Sequence, residues 1–204
     1  ESEYTFTGNK KESFYMKYFA KFSKFSDKII YINLHELPYL KPKIHANSNI
    51  GQQWKNEFFQ RNSIQKGLEQ IDLYDNDVII ISDVDEIINP IIIDQIKNNE
   101  IKVKISSINM DLYYYNLNCK SIGQWNLPKI MNYLTFKNLN KNISDIRKIK
   151  NLPEILNGGW HLSYFGDTQF IETKLKNFSH QEFNNDSIIN NISTRKQKGE
   201  DLFG

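Results

Sequence analysis

The apolar run at residues 78–82 constrains the fold of this chain more than any other segment. Its five residues leave no room for a polar face, and they lead directly into the acids Asp83, Asp85 and Glu86. Such a run indicates a strand that is buried on both faces, as in the parallel sheet of an α/β protein. Ligands of these sheets collect at the carboxyl ends of the strands. The sequence therefore predicts a binding site at residues 83–86.

The spacing of Asp83 and Asp85 suggests what this site would bind. If a turn begins at Val84, both carboxylates can converge on one hard divalent cation, because such ions prefer oxygen ligands. The alternative is a solvated acidic turn that follows a core strand and binds nothing. Both interpretations are open from these residues alone.

Size, charge and cysteine content exclude several classes of protein. A chain of 204 residues can bury a substantial core, and we expect one domain over residues 1–204. The net charge is only +2 and the lysines and arginines are scattered, so we expect neither a nucleic-acid surface nor an anionic membrane face. The single cysteine, Cys119, excludes a disulfide framework and fits a reducing compartment.

No apolar run approaches the length of a membrane span, and no signal peptide opens the chain. We therefore expect a soluble or cytoplasmic protein, with its oligomeric state left open.

Hydrophobic spacing predicts alternating helices and strands. Strand, helix and strand follow one another over residues 29–82, which indicates an α/β fold with a right-handed crossover. In the first helix, aromatic residues recur at a helical spacing and predict a packed face. These residues are Phe14, Tyr18, Phe22 and Phe25. The predicted elements are helices at 11–25, 52–71, 91–97 and 168–178, strands at 29–32, 78–82 and around Trp125 and Lys129, a β-rich stretch at 101–119, and a loop at 37–51.

A second unusual segment begins with Gly158 and Gly159, which precede Trp160 and His161. The two glycines let the backbone approach another group closely and aim His161 inward. His161 is then either a ligand or catalyst, or a hydrogen-bonded core residue. Asp167 lies a few residues on, where the predicted helix should start, so it is either a catalytic group or an N-cap.

Together these segments resemble glycosyltransferase family 17, which includes an animal N-acetylglucosaminyltransferase of N-glycan synthesis. The resemblance spans nearly the whole chain and rests on the order and spacing of several motifs. They are Glu1-Ser2 with Thr5-x-Thr7-Gly8, Arg61-Asn62-x₄-Gly67-Leu68, Ser82-Asp83-Val84-Asp85-Glu86-Ile87, Gly159-Trp160-His161-x-Ser163-Tyr164 and Gly199-x-Asp201-Leu202-Phe203-Gly204.

The resemblance implies an inverting transferase with a GT-A-like, Rossmann-like fold, in which helices flank a mostly parallel sheet. It also implies a UDP-sugar donor, with UDP-N-acetylglucosamine expected, a glycan acceptor, and Mn²⁺ or Mg²⁺. Family members carry a strand before the Glu-Ser pair, so we expect that the first strand is missing from this chain and that the chain is truncated at its N-terminus.

The reaction assigns expected roles to residues. The metal ligands would be Asp83, Asp85, His161 and His180, and the nucleotide site would include Glu1, Arg61, Asp83 and Trp160. An inverting transfer also needs a general base, and the candidates, in order, are Asp167, Glu154, Glu172 and Glu86, with His161 as a further choice. Besides those given above for His161 and Asp167, structural alternatives exist for three of these residues: Arg61 could form a helix-surface ion pair, His180 could sit at a helix end, and Glu1 could be part of a frayed terminus.

Two other functions are compatible with an acidic turn after an apolar strand. One is a Mg²⁺-dependent phosphohydrolase of the haloacid-dehalogenase kind, in which Asp83 would be the nucleophile. The second is a non-catalytic module in which the acids hold Ca²⁺ and the aromatic residues hold sugar.

Overall fold

The structure, a computed structural model, describes residues 1–46 and 50–204. Its contacts divide the chain into two compact units, one formed by residues 1–71 and 172–190 and the other by residues 72–171 and 191–204. One domain over residues 1–204 stays a prediction. Residues 47–49 of the predicted loop at 37–51 lie outside the described part of the chain.

The helices and strands follow in chain order. The α-helices are α1 Phe14–Lys17, α2 Phe19–Phe22, α3 Gln52–Asn62, α4 Gln65–Leu68, α5 Pro90–Lys97, α6 Tyr133–Leu139, α7 Ile143–Arg147, α8 Thr168–Asn177, α9 Asp186–Ile189 and α10 Ile192–Lys198. The strands are β1 Val78–Ile81, β2 Glu86–Ile88, β3 Ser106–Ile108, β4 Met110–Tyr114, β5 Lys120–Trp125, β6 Lys129–Asn132, β7 Glu154–Ile155 and β8 Gly159–Ser163. Short 3₁₀ turns cover Ser23–Lys28 and Gln181–Phe183.

The first unit is mainly helical. The predicted helix at 11–25 is divided into α1, α2 and a 3₁₀ turn, and its aromatic residues are exposed rather than packed, so the predicted packed face is wrong. The predicted helix at 52–71 is confirmed as α3 and α4 with a break between them. Residues 29–33 are assigned to no strand, although Leu34 forms an isolated parallel bridge with Ser2.

The second unit contains two four-stranded sheets within its described residues, ordered β1-β6-β3-β7 and β2-β8-β4-β5. Only the pairs β3–β7 and β4–β8 are parallel, while the remaining pairs are antiparallel. The α/β class is confirmed, but the expected mostly parallel sheet is wrong because both sheets are mixed. Antiparallel neighbours need no crossover helix, and the short connection from β4 to β5 provides one such pair.

Strand β1 is less buried than the sequence predicts. Ile79 and Ile81 are buried, whereas Val78 is 39% exposed, so only one face of the strand is fully covered. A core cluster of Ile108 and Met110 with Ile130 lies where β3, β4 and β6 meet. Burying each such side chain stabilises the fold by about 1.5–3 kcal/mol. The two sheets of this unit therefore share a well-packed centre beside the acidic turn.

The predicted helices at 91–97 and 168–178 are confirmed as α5 and α8, and the strands expected near Trp125 and Lys129 are β5 and β6. Helix α5 begins after Asn89, whose side chain accepts the N–H of Ile91, with Pro90 in the first turn. Within residues 1–46 and 50–204, no helix has the length and apolar character that crossing a membrane requires.

Candidate active site

The acidic turn connects the two sheets of the second unit, because the chain leaves β1 at Ile81 and enters β2 at Glu86. Two reciprocal hydrogen bonds close it. The Glu86 N–H donates to the Asp83 carbonyl at 3.0 Å, and the Asp83 N–H donates to Glu86 Oε2. The Leu162 N–H also donates to the carbonyl of Asp85 at 2.8 Å, which fastens the turn to β8. Backbone bonds therefore fix the positions of both aspartates.

Glu86 is the buried centre of an ion network beneath this turn. Arg147 binds it through both carboxylate oxygens, at 2.8 Å and 2.7 Å, and the side chains are 4% and 0% exposed. Trp125 Nε1 donates to the same carboxylate at 2.6 Å. The Arg147 guanidinium reaches Asp83 Oδ2 as well, at 3.1 Å. Since Glu86 is fully enclosed and satisfied by donors, it has no access to an acceptor hydroxyl and does not suit the role of a base.

Helix α7 supplies Arg147 from a buried face that also contains Ser144 and two isoleucines. Ile143 and Ile146 are completely buried in this helix, and Arg147 follows one turn after Ile143. Sequence reasoning missed Arg147, although its position four residues after a core isoleucine places it on the buried stripe. The burial of an arginine on such a stripe is a signal for a paired acid elsewhere in the chain.

A second buried cation, Lys129, lies beside this network. It is 1% exposed, and its Nζ donates to the carbonyls of Asn126 at 2.8 Å and Leu127 at 3.0 Å. Burial and, to a smaller extent, the neighbouring charge of Arg147 lower the pKa of Lys129 to about 8, against the opposing effect of the Glu86 and Glu154 carboxylates. The buried charges of Glu86, Arg147 and Lys129 on the inner side of the acidic turn thus have a structural role.

Asp85 and His161 form the outer side of the turn. Asp85 Oδ1 lies 3.8 Å from His161 Nε2, with side chains that are 29% and 10% exposed. This distance is too long for a direct hydrogen bond. The ring of Trp125 packs against the imidazole with centroids 4.2 Å apart. His161 Nδ1 is buried and has no hydrogen-bond partner among the described residues. The packing therefore presents Nε2 to the Asp85 carboxylate.

The separation of these two atoms fits a shared divalent ion. Two donors that each lie about 2.1 Å from one ion are about 3–4 Å apart. Asp83 is in the same turn, but its Oδ2 is paired with Arg147. Among the described residues no group of three or more His, Cys, Asp or Glu side chains is suited to a metal ion. Two protein ligands match a site whose coordination is completed by water and substrate phosphate oxygens.

The predicted ligand His180 belongs to the first unit, whereas Asp83, Asp85 and His161 belong to the second. Its ring packs edge-on against Trp54 at 4.5 Å and stacks on Phe183 at 5.6 Å. His180 Nδ1 lies 2.6 Å from Glu182 Oε1. These contacts give His180 a structural role in the first unit.

Arg61, which the sequence places at the nucleotide, forms an ion pair with Glu57 at 2.8 Å on α3. The two side chains are only 17% and 6% exposed. Glu57 also accepts a hydrogen bond from the Ser179 hydroxyl. The helical ion pair that the sequence allowed as an alternative is present, and it is largely buried.

Glu1 anchors the start of α1. Its carboxylate accepts the N–H groups of Phe14 at 3.0 Å and Tyr15 at 3.2 Å, the Ser13 hydroxyl at 3.0 Å and Lys11 Nζ at 3.2 Å. Burial raises the pKa of Glu1, but these hydrogen bonds and the charge of Lys11 outweigh it, and the net pKa is lowered. The carboxylate is therefore engaged within its own unit.

The candidate bases differ in their surroundings. Asp167 Oδ1 accepts the Phe170 N–H at 2.7 Å, so this exposed residue is the N-cap of α8 that the sequence allowed. Glu154 accepts hydrogen bonds from Asn109 at 2.6 Å and Asn126 at 2.9 Å, and these lower its pKa. A lowered pKa makes Glu154 a weaker base.

Two further predicted site residues have local surroundings of their own. Glu172 forms a helical ion pair with Lys176. Trp160 precedes His161 on β8, and since successive side chains of a strand alternate, it points to the opposite face of the sheet. The structure thus brings together Asp83, Asp85 and His161, with the unpredicted Trp125 and Arg147.

Gly159 lets β8 approach β2 closely. Its φ is +146°, and a Cβ there would overlap the carbonyl oxygen of Ile87. We expect Gly159→Ala to lower the free energy of unfolding by at least about 2 kcal/mol, because strain and overlap add. Chemical denaturation would measure it. Gly123→Ala is the matched control, since the nearest atom to its Cβ would be 3.6 Å away. Equal effects of the two substitutions would contradict the close approach.

Comparison with known proteins places this chain in a family. The combination of an α/β fold with a carboxylate–imidazole pair beside an acidic turn is compatible with several enzyme classes. The class of this protein is therefore decided by its match to a family model. The family model of glycosyltransferase family 17 matches residues 1–204, the whole chain. The protein is therefore a glycosyltransferase, and it belongs to glycosyltransferase family 17. Searches of curated proteins and of solved structures gave no match.

Membership in this family implies glycosyl transfer, so the protein binds a sugar donor and a glycan acceptor. It gives no support to the phosphohydrolase or to the calcium-dependent binding module.

Proposed function

We propose that this protein is a metal-dependent, inverting glycosyltransferase that moves N-acetylglucosamine from its UDP conjugate to a glycan hydroxyl. The family match supports the transfer reaction. The metal dependence is supported by one observation: Asp85 Oδ1 and His161 Nε2 face each other at 3.8 Å on the outer side of the acidic turn. The carboxylate of this pair suits Mn²⁺ or Mg²⁺, and the imidazole, which is a softer donor, favours Mn²⁺ of the two.

Asp85 and His161 would hold the ion, which when bound would neutralise charge on the leaving diphosphate. Asp83 would lie beside this ion. The hydrogen bond from Arg147 to Asp83 Oδ2 limits the orientations of the Asp83 carboxylate. The hydrogen bonds that close the turn keep the two aspartates at a fixed separation. Such preorganisation matters because a site that must rearrange during the reaction loses electrostatic stabilisation.

We propose Asp167 as the general base. Its carboxylate is exposed, and the hydrogen bond from the Phe170 N–H fixes its orientation through one oxygen. The base would remove the proton from the acceptor hydroxyl as that oxygen attacks from the face opposite the diphosphate. Glu154 ranks below Asp167 because its pKa is lowered by two amide donors.

Nucleotide binding with and without metal tests the proposal. We expect UDP to raise the melting temperature of the protein by about 5–10 °C in Mn²⁺ at a ligand concentration near 100 times Kd. The same UDP concentration in EDTA should leave the melting temperature unchanged. Uridine, which lacks the diphosphate, is the matched control and should have no metal-dependent effect.

A second measurement identifies the donor. Release of UDP from a panel of UDP-sugars, with a glycan acceptor mixture, should be fastest with UDP-N-acetylglucosamine. Stabilisation by UDP that persists in EDTA would contradict the metal dependence, and faster turnover of another UDP-sugar would contradict the assigned sugar.

A further inference from the structure

The segment at residues 14–28 exposes an unusual amount of apolar surface. Every residue from Met16 to Lys28 is exposed, and no residue of α1, α2 or the following 3₁₀ turn is buried. Its large apolar side chains, each 38–59% exposed, are Phe14, Met16, Tyr18, Phe19, Phe22 and Phe25. Soluble proteins rarely leave such a cluster without a function. We call these six residues, with the lysines between and beside them, the aromatic–lysine surface.

Tyr15 attaches this segment to the rest of its unit. Its ring stacks on Tyr31 at 4.5 Å and contacts Phe19 and Phe22 at 5.8 Å and 5.7 Å. The Ser13 hydroxyl lies 2.6 Å from the Tyr31 hydroxyl. The segment is thus held from one side, and the exposure of the other side does not result from a detached helix.

The charge of the surface is strongly positive. Residues 10–28 contain six lysines and only two acids, which gives a net charge of +4, whereas the whole chain carries +2. The lysines interleave with the aromatic residues: Lys21 Nζ lies 4.9 Å from the ring centroid of Tyr18, and Lys11 Nζ lies 5.9 Å from that of Phe14. A partner must therefore accept apolar side chains and carry negative charge at the same place.

We propose that the aromatic–lysine surface binds the interface of an anionic lipid bilayer. Phenylalanine and methionine side chains would enter the boundary between headgroups and acyl chains, while the lysines reach the negatively charged headgroups with their flexible stems. This binding needs no membrane-spanning helix. It revises the expectation from the sequence that lysines are too scattered to form a membrane face, because six of them lie within residues 10–28, and residues 16–28 are all exposed.

Two other partners fit the surface less well. In a symmetric dimer the same surface would face itself, so two charges of +4 would be brought together, which is unfavourable. Single-stranded nucleic acid is bound by grooves with stacking aromatics, often with arginine, and residues 10–28 contain no arginine and form helical turns.

Co-sedimentation of the whole chain with vesicles tests the proposal. We expect binding to vesicles of phosphatidylcholine mixed with phosphatidylglycerol, and at least tenfold weaker binding to phosphatidylcholine alone. Binding should also fall at least tenfold between about 0.1 M and about 0.5 M salt, because salt screens the lysines.

Two variants separate the apolar and the charged contribution. Met16→Ser with Phe25→Ser, and Lys21→Glu with Lys24→Glu, should each weaken binding to anionic vesicles at least tenfold. Their matched controls are Leu117→Ser with Ile122→Ser, and Lys141→Glu with Lys150→Glu, which change exposed residues elsewhere and should leave binding within about twofold. Melting temperatures of all four proteins show whether each is folded.

Several outcomes would overturn the proposal. They are the absence of binding to anionic vesicles at low salt, an equal loss in the variants and their controls, and tighter binding to a single-stranded RNA oligonucleotide than to vesicles. Self-association in analytical ultracentrifugation that the Met16 and Phe25 substitutions abolish would also overturn it in favour of a second copy. None of these results depends on glycosyl transfer.

Discussion

Arg147→Met should lower the free energy of unfolding by about 3–5 kcal/mol, because it leaves the Glu86 carboxylate as an uncompensated charge in a site that is 0% exposed. Methionine keeps much of the length of the arginine side chain, so the loss reports the charge more than a cavity. Urea denaturation followed by circular dichroism would measure the change. Lys150→Met is the matched control, since this exposed residue three positions further on should change stability by no more than about 0.5 kcal/mol.

A double substitution tests the explanation for that loss. Glu86→Gln removes the buried charge and retains one acceptor oxygen, which can serve either Trp125 or the Asp83 N–H, so adding it to Arg147→Met should recover part of the lost stability. A double variant that is less stable than Arg147→Met alone would show that packing, rather than an unpaired charge, causes the effect.

Asp85→Asn should reduce glycosyl transfer at least about 100-fold and remove the dependence of UDP binding on Mn²⁺. Asparagine keeps the size of the side chain but replaces the charge that attracts the ion. Stability should be retained, because the Asp85 backbone carbonyl, which binds the Leu162 N–H, is unchanged. Initial rates of UDP release and calorimetric titration of UDP with and without EDTA would measure both effects.

Two comparisons sharpen this experiment. Asp94→Asn, at an exposed position in α5, should leave transfer within about twofold of the original protein. Asp83→Asn should lower stability as well as activity, because its carboxylate binds the buried Arg147. If Asp85→Asn retained Mn²⁺-dependent UDP binding, Asp85 would not be a metal ligand.

Local features of the site were predictable from the sequence. The apolar run ends at a strand terminus and leads into a turn that positions Asp83 and Asp85. Asp167 begins a helix, as its place before an amphipathic segment indicated. The glycine pair before Trp160 marks a close approach of two strands. In each case the responsible interactions lie within a few residues, so local patterns contain the information.

Features that depend on distant partners were not predictable. Glu86 and Arg147 are 61 residues apart in the chain, and although the position of Arg147 on a buried stripe indicates a paired acid, it does not indicate which acid. The order and direction of the strands depend on similar pairings, which is why a parallel sheet was expected where mixed sheets form. The aromatic residues of the first helix have a spacing typical of a packed face, but spacing alone does not show whether another element covers that face.

In the acidic turn, the residues that stabilise the fold differ from the residue proposed to bind the metal ion, and this has a consequence for family members that have lost their activity. Glu86 and Arg147 are buried and stabilise the connection between the two sheets, whereas the Asp85 side chain is 29% exposed and its Oδ1 faces His161 Nε2 at 3.8 Å. In a homologue that has lost its activity, substitutions should therefore replace the residue equivalent to Asp85 first, while the residues equivalent to Glu86 and Arg147 are retained. A homologue with that pattern would be folded but inert, and an intact Glu-Arg pair should not be taken as a mark of catalysis.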